Sequence, residues 1–175
     1  MKITTEWLAE NNACQDGYNW FAKQGKDFEP IPLLNLLIEK NQLDWANWLI
    51  VRVMEYSQYV SYAVYAAELV IDIFEKKYPN DKRPREAIEA AKRCIENPSK
   101  ENKKTADRAA SAAWGAYNAA GSAAWAAYSA TGNAAYREAY WAAWAAYWAV
   151  YWAADSAKTL KKILKYGIEL LTEGK

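Results

Sequence analysis

A long segment in the C-terminal half of this chain draws its apolar content entirely from Ala, Trp and Tyr. Between Glu96 and Ala149 there is no Leu, Ile, Val, Phe or Met. Residues 112–155 divide into four units of eleven residues, AAWGAYNAAGS, AAWAAYSATGN, AAYREAYWAAW and AAYWAVYWAAD. Eleven residues make three α-helical turns with about 20° left over, so a ring at a fixed place in each unit stays near one helix face. The repeat therefore favours helices over any other regular structure.

Two interpretations of these aromatic repeats stay open. Ala lets helices approach closely, whereas Trp and Tyr add large apolar area and one polar group per ring. The later rings surround more than half of a helix, which is typical of a helix buried between neighbours. The earlier rings form a narrow stripe flanked by polar residues: Trp114, Tyr117, Trp125 and Tyr128. That stripe is as compatible with core packing as with the wall of a ligand-binding groove.

The rest of the sequence also predicts an all-α protein. Alternating β-branched runs and hairpin dipeptides are missing, so strand signals are poor. A chain of 175 residues can bury a core without disulfides or metals. We predict a single-domain bundle of seven or eight helices. Residues 1–98 would form its N-terminal helices, and residues 99–175 an Ala/Trp/Tyr-rich helical pair with its extensions.

Capping residues, Gly and Pro predict where the N-terminal helices begin and end. Thr4 and Asp44 precede apolar periodic runs as N-caps, Pro32 suits a first helical turn, and Gly25 suits a helix end. A longer helix with apolar residues at three- and four-residue steps follows and is expected to be central to the core. The expected helices cover residues 4–12, 13–25, 33–41, 45–54, 54–78 and 84–97.

From Ser99 a further helix is expected to lead into the repeats. One unbroken helix from there to residue 166 would be about 100 Å long, too long for a domain of this size. We place the turn at Gly132 and Asn133, because Gly can end one helix and Asn can cap the next. The final helix is then expected over Ala134–Lys165, with Gly167 before a short tail.

The composition excludes several kinds of chemistry. The chain contains no His, which removes His-dependent nucleophilic catalysis, His-ligated zinc and the usual general base. Cys14 and Cys94 lack metal-ligand spacing, and we expect two free thiols. A Gly-rich phosphate loop and a nucleophile elbow are also missing. We therefore predict a protein that is not an enzyme and that needs no metal and no cofactor.

The net charge of +1 hides an uneven distribution. Residues 1–75 carry −6, residues 76–104 carry +5, and residues 156–175 carry +3. A basic patch of this size suits an anionic small ligand or an acidic partner, but not a nucleic acid polymer. The N-terminus lacks a signal-peptide apolar core, and the charge-free run 109–136 lacks strongly apolar aliphatic residues such as Leu, Ile and Val. We expect a cytoplasmic protein with no membrane contact.

Basic residues near a predicted helix start suggest one candidate ligand site. Unpaired backbone N–H groups and Arg side chains there could hold a phosphate or carboxylate, whereas the simpler interpretation pairs each Arg with Glu86 or Glu89. Together with the earlier rings, such cations could bind a nucleotide by stacking and ion pairing. The candidate ligand-binding residues are Arg83, Arg85, Lys104, Arg108, Trp114, Tyr117, Trp125 and Tyr128.

Three segments resemble a known family: ACQDGYNWF (13–21), LLIEKNQLDWANWLI (36–50) and DKRPREAIEAAKRCIENPS (81–99). The chain resembles a family of small helical immunity proteins that occur in bacteria and their phages. The resemblance implies a protein that neutralises a bacterial toxin or defence effector by binding it. The alternative is a sponge that sequesters a nucleotide-derived immune signal. Either function is compatible with a homo-oligomer.

Overall fold

The computed structural model describes residues 1–120 and 155–173, with the backbone alone for Ser111 and residues 113–120. These ranges are helical, apart from an isolated antiparallel bridge between Ile3 and Phe28. The helices are α1 (Thr5–Glu10), α2 (Gln15–Ala22), α3 (Pro30–Glu39), α4 (Leu43–Val53), α5 (Tyr56–Lys77), α6 (Arg83–Glu96), α7 (Lys100–Ala120) and α8 (Ser156–Glu173). The predicted all-α class is confirmed, and residues 1–120 and 155–173 contain eight helices.

Local capping chemistry explains most of the helix starts. The hydroxyl of Thr4 accepts from the Trp7 N–H at 3.1 Å, and that of Ser99 accepts from the Asn102 N–H at 3.2 Å, as their sequence positions predicted. Two other predicted starts are wrong by a few residues. Pro30, rather than Pro32, opens α3, and Asp44 lies inside the first turn of α4 instead of capping it. Pro and an acidic side chain are both favourable in a first turn.

Helix α5 is the centre of the described core. It packs against α6 on one side and α8 on the other, α8 also contacts α3 and α4, and α7 covers α6. Tyr62 of α5 is fully buried and donates its hydroxyl proton to Asn47 Oδ1 of α4 at 2.8 Å. Gln58 donates from Nε2 to the Leu170 carbonyl of α8 at 2.8 Å. These polar contacts fix how α4, α5 and α8 are aligned within an otherwise apolar core.

The C-terminal helix differs from its predicted bounds at both ends. Asp155 forms a bend, and its carboxylate accepts from the Lys158 N–H at 2.9 Å, so a new helix begins at Ser156. The prediction of a continuous helix through this point is therefore wrong. Gly167 does not precede a tail either, because it is buried within α8. The predicted turn at Gly132–Asn133 and the paired aromatic helices lie outside the described residues.

Replacing Asp155 with alanine should lower the free energy of unfolding by about 1 kcal/mol, because the Lys158 N–H loses its capping acceptor. Urea unfolding followed by circular dichroism measures this difference. Asp155→Asn keeps a side-chain oxygen in the same place and should cost clearly less. An Asp155→Ala variant as stable as the wild type would show that this cap does not stabilise α8.

Candidate functional site

An apolar cleft opens between the first two helices and the helices α3 and α4. We call it the N-terminal cleft, and its volume is about 460 Å³. A volume of this size is within the range of small-ligand pockets and can also take side chains of a partner. The cleft is lined by Leu8, Asn12, Ala13, Cys14, Gly17, Trp20, Phe21, Leu33, Leu37, Asp44, Trp45, Trp48 and Leu49.

The helical period of α4 and the position of α2 opposite it form the walls of the cleft. Trp45, Trp48 and Leu49 stand three and four positions apart, so α4 presents them on one face. Gly17 of α2 lies opposite. A Cβ atom there would lie 3.7 Å from the Trp45 ring and 3.3 Å from Cys14 Sγ. A Cβ atom at this position would therefore be in ordinary van der Waals contact with the Trp45 ring and slightly crowded only by Cys14 Sγ.

The Trp rings of the cleft differ in how firmly they are held. Trp48 meets Trp7 edge to face, with ring centroids 6.0 Å apart, and the Arg52 guanidinium lies 4.1 Å from the Trp48 centroid. The Trp20 and Trp45 centroids are 5.9 Å apart, with the ring planes inclined at 51°. Both rings are partly exposed. Trp48 is therefore anchored by its neighbours, whereas Trp20 and Trp45 form a wall that a ligand can contact.

Among the described residues that line the N-terminal cleft, Asp44 supplies one carboxylate in an otherwise apolar wall. Asp44 is exposed, and no Lys or Arg is among the described residues that line the cleft. Within residues 1–120 and 155–173, no ion pair engages Asp44. Over the same ranges, no three metal-ligating side chains form a group that could hold an ion. The cleft can bind apolar and cationic groups.

The structure places Arg83 and Arg85 at the start of α6, where each is engaged by carboxylates. Arg83 donates to both carboxylate oxygens of Asp81, from Nε at 2.8 Å and from Nη2. Arg85 donates to Glu75 of α5 at 2.9 and 2.7 Å. The expected local partners, Glu86 and Glu89, are therefore not the ones that the structure pairs with these residues. An anionic ligand at this end of α6 would have to displace a bidentate carboxylate.

The remaining predicted site residues lie further along the chain. Lys104 and Arg108 are exposed on α7, which packs against α6. Trp114 and Tyr117 belong to the same helix, for which the structure describes only the backbone at these two positions. Trp125 and Tyr128 lie outside the described residues altogether. The predicted basic and aromatic ligand site therefore stays a prediction.

Arg85 also alters the acid titration of its partner. The hydrogen bond from Arg85 lowers the pKa of Glu75 below its ordinary value of 4.5. A lowered folded-state pKa means that the pair stabilises the protein above the unfolded-state pKa and that this contribution is lost as the pH falls through the folded-state pKa. We expect Arg85→Gln to return the Glu75 pKa towards its ordinary value. The stability gap between wild type and variant should also shrink as the pH falls below about 4.5.

Carbon-13 NMR titration of the Glu75 carboxyl group measures the pKa, and urea unfolding at several pH values measures the gap. Arg93→Gln is the matched control, because Arg93 is exposed on the same helix and forms no ion pair with a described residue. Its effect on Glu75 should be small. An unchanged Glu75 titration in Arg85→Gln would contradict the role given to this pair.

Sequence reasoning did not single out the N-terminal cleft. Helical spacing places Trp45 and Trp48 on one face of α4 but gives no reason to place Trp20 opposite them. The available signal was the density of Trp in two short segments that also carry the family resemblance, NWF (19–21) and DWANW (44–48). Trp is enriched at sites where proteins bind partners, so this density deserved a functional interpretation.

Residues 1–58 match the family model described as the YdhT N-terminal domain. This segment is about a third of the chain and contains α1–α4 with every residue that lines the N-terminal cleft. Neither the curated proteins nor the solved structures contain a match to this chain. Among the described helices, none is both long enough and apolar enough to cross a bilayer.

Proposed function

We propose that this protein is a non-catalytic immunity or anti-defence protein that neutralises a bacterial toxin or defence effector by binding it. The observation that carries the proposal is the N-terminal cleft, an apolar site walled by Trp20 and Trp45 and edged by Asp44. Trp side chains in a partly buried pocket are typical of the few residues that dominate a protein interface. The resemblance to helical immunity proteins points to the same function.

The charge of the N-terminal region supports a basic protein partner. Residues 1–75 carry −6, and the cleft lies within this acidic part. Surface charge of one sign accelerates encounter with a partner of the opposite sign and disfavours partners of the same sign. An effector that acts on nucleic acid or on anionic membranes carries basic surface, and such a surface complements this region.

The nucleotide sponge is the alternative. Its stacking residues would be the stripe of Trp114, Tyr117, Trp125 and Tyr128. Its cations would be Arg83, Arg85, Lys104 and Arg108, of which Arg83 and Arg85 are already engaged by carboxylates. The N-terminal cleft does not favour it, because a phosphate would meet the Asp44 carboxylate without a described cation lining the site. The effector hypothesis therefore has the stronger support from the described residues.

A growth-rescue screen tests the two functions against each other. Cells that carry an inducible collection of toxin and defence-effector genes are grown with and without this protein. We expect rescue from at least one effector, followed by a complex of the two purified proteins by size-exclusion chromatography. Rescue without a complex, accompanied by loss of a free nucleotide signal, would favour the sponge. No rescue from any effector of the collection would count against both.

A further inference from the structure

We propose that the N-terminal cleft receives a lysine or arginine side chain of the partner protein, carried on a segment with apolar neighbours. The aliphatic stem would lie against Trp20 and Trp45, and the charged end would reach Asp44. This inference rests on the proposed function and adds the chemistry of the partner. The segment of the partner that enters the cleft would be basic and apolar, and acidic segments would be excluded from the site.

The charge of the site selects a cation. Asp44 lies in the first turn of α4, is exposed, and has no ion-pair partner among the described residues. The other described residues that line the cleft are apolar or uncharged. An incoming cation therefore gains an opposite charge without displacing an existing ion pair. An incoming carboxylate would meet a like charge in an apolar setting.

The rings of the site favour a cation that has an apolar stem. The face of a Trp ring attracts a cation within about 6 Å of its centroid, and a Lys or Arg stem packs against apolar surface. Helix α4 already contains such a cation–ring contact, since the Arg52 guanidinium lies 4.1 Å from the Trp48 centroid. Trp20 and Trp45, with centroids 5.9 Å apart and partly exposed, offer the equivalent surfaces to a side chain from outside.

Two capped pentapeptides test the proposal directly: Gly-Leu-Arg-Leu-Gly and its twin with citrulline in place of arginine. Citrulline keeps the shape and removes the charge. Titration is followed by the indole N–H signals in proton–nitrogen NMR spectra. We expect the arginine peptide to bind at least tenfold more tightly than its twin. Asp44→Asn should reduce this preference about tenfold, whereas Asp27→Asn, an exposed change outside the cleft, should leave it unchanged.

The cysteines show where the peptide binds. Cys14 is exposed at the edge of the cleft and Cys94 is buried, so iodoacetamide should modify Cys14 first. A saturating arginine peptide should slow the Cys14 reaction at least fivefold. Equal binding of the two peptides, no binding of either, an unchanged Cys14 rate, or Asp44→Asn behaving like Asp27→Asn would each overturn the proposal. If binding of the effector still required Trp45 in such a case, the proposed function would remain supported and only this inference would be rejected.

Discussion

Replacing Gly167 with valine is expected to destabilise the protein by about 3 kcal/mol, the upper end for overpacking a core. A Cβ atom at Gly167 would lie 2.6 Å from Ile50 Cδ1 and 2.8 Å from two ring carbons of Tyr62. The Ile50 methyl group can rotate away. Tyr62 cannot move as easily, because it is fully buried and its hydroxyl is bound to Asn47. Valine would therefore force α8 away from α4 and α5.

Urea unfolding measures this loss, and the same new side chain elsewhere on α8 is its control. Lys162→Val introduces valine at an exposed position of the helix and should change stability by no more than about 0.5 kcal/mol. A loss at Gly167 no larger than the loss at Lys162 would mean that the contact of Gly167 with Ile50 and Tyr62 does not limit what fits there, because valine is a better helix former than glycine. That result would remove the reason given for glycine in this helix.

A double-mutant cycle separates the two neighbours of Gly167. Gly167→Ala adds the single clashing carbon, and Ile50→Val removes the Cδ1 atom that it meets first. The double variant should be more stable than the sum of the two single effects predicts, by about 0.5–1 kcal/mol. Part of the cost should persist, because Tyr62 is still in place. Strict additivity would show that Ile50 does not limit the approach of α8.

Replacing Trp45 with alanine should weaken binding of the effector about 100-fold, which corresponds to about 2.7 kcal/mol. Trp45 lines the N-terminal cleft, lies beside Trp20 and is partly exposed, so its removal takes away a wall of the site. Trp45→Phe keeps an aromatic ring and should lose less. Calorimetric titration with the effector found in the rescue screen measures the affinities.

The matched control removes a ring that is partly exposed elsewhere. Tyr166 of α8 stacks on Tyr65 with centroids 4.1 Å apart and does not line the cleft. Tyr166→Ala should lower stability but leave the affinity within about twofold of the wild type. Circular dichroism establishes that each variant is folded before its affinity is compared. An equal loss of affinity at Trp45 and Tyr166 would remove the cleft from the interface.

The sequence predicted those parts of the fold that depend on local chemistry. Helical periodicity predicted both ends of α5 to within two residues. The hydroxyl side chains of Thr4 and Ser99 predicted where α1 and α7 begin. Gly167 was misread because the rule that glycine ends a helix is local, whereas here a tertiary contact leaves no room for a side chain. Asp155 was not recognised as a cap, although it ends the last eleven-residue unit and an Asp in front of a helical segment is a capping signal.

The candidate site could be predicted only in part, because its walls come from separate helices. Spacing placed Trp45 and Trp48 on one face of α4, but the position of Trp20 depends on how α2 packs. The predicted ion-pair partners of Arg85 were wrong for the same reason. The predicted acids are near Arg85 in sequence, whereas Glu75 is near it across the interface of α5 and α6. Contacts between helices depend on packing angles that residue spacing does not encode.

Titration of the effector's activity with this protein tests whether the effector is neutralised by stoichiometric binding without catalysis. The effector is held at a concentration well above the dissociation constant. We expect the activity to fall linearly, to reach its minimum at one equivalent, and to return when the effector is recovered unmodified from the complex by denaturation and refolding. Inactivation by a small fraction of an equivalent, or a covalently altered effector, would contradict the account and show that the protein is an enzyme.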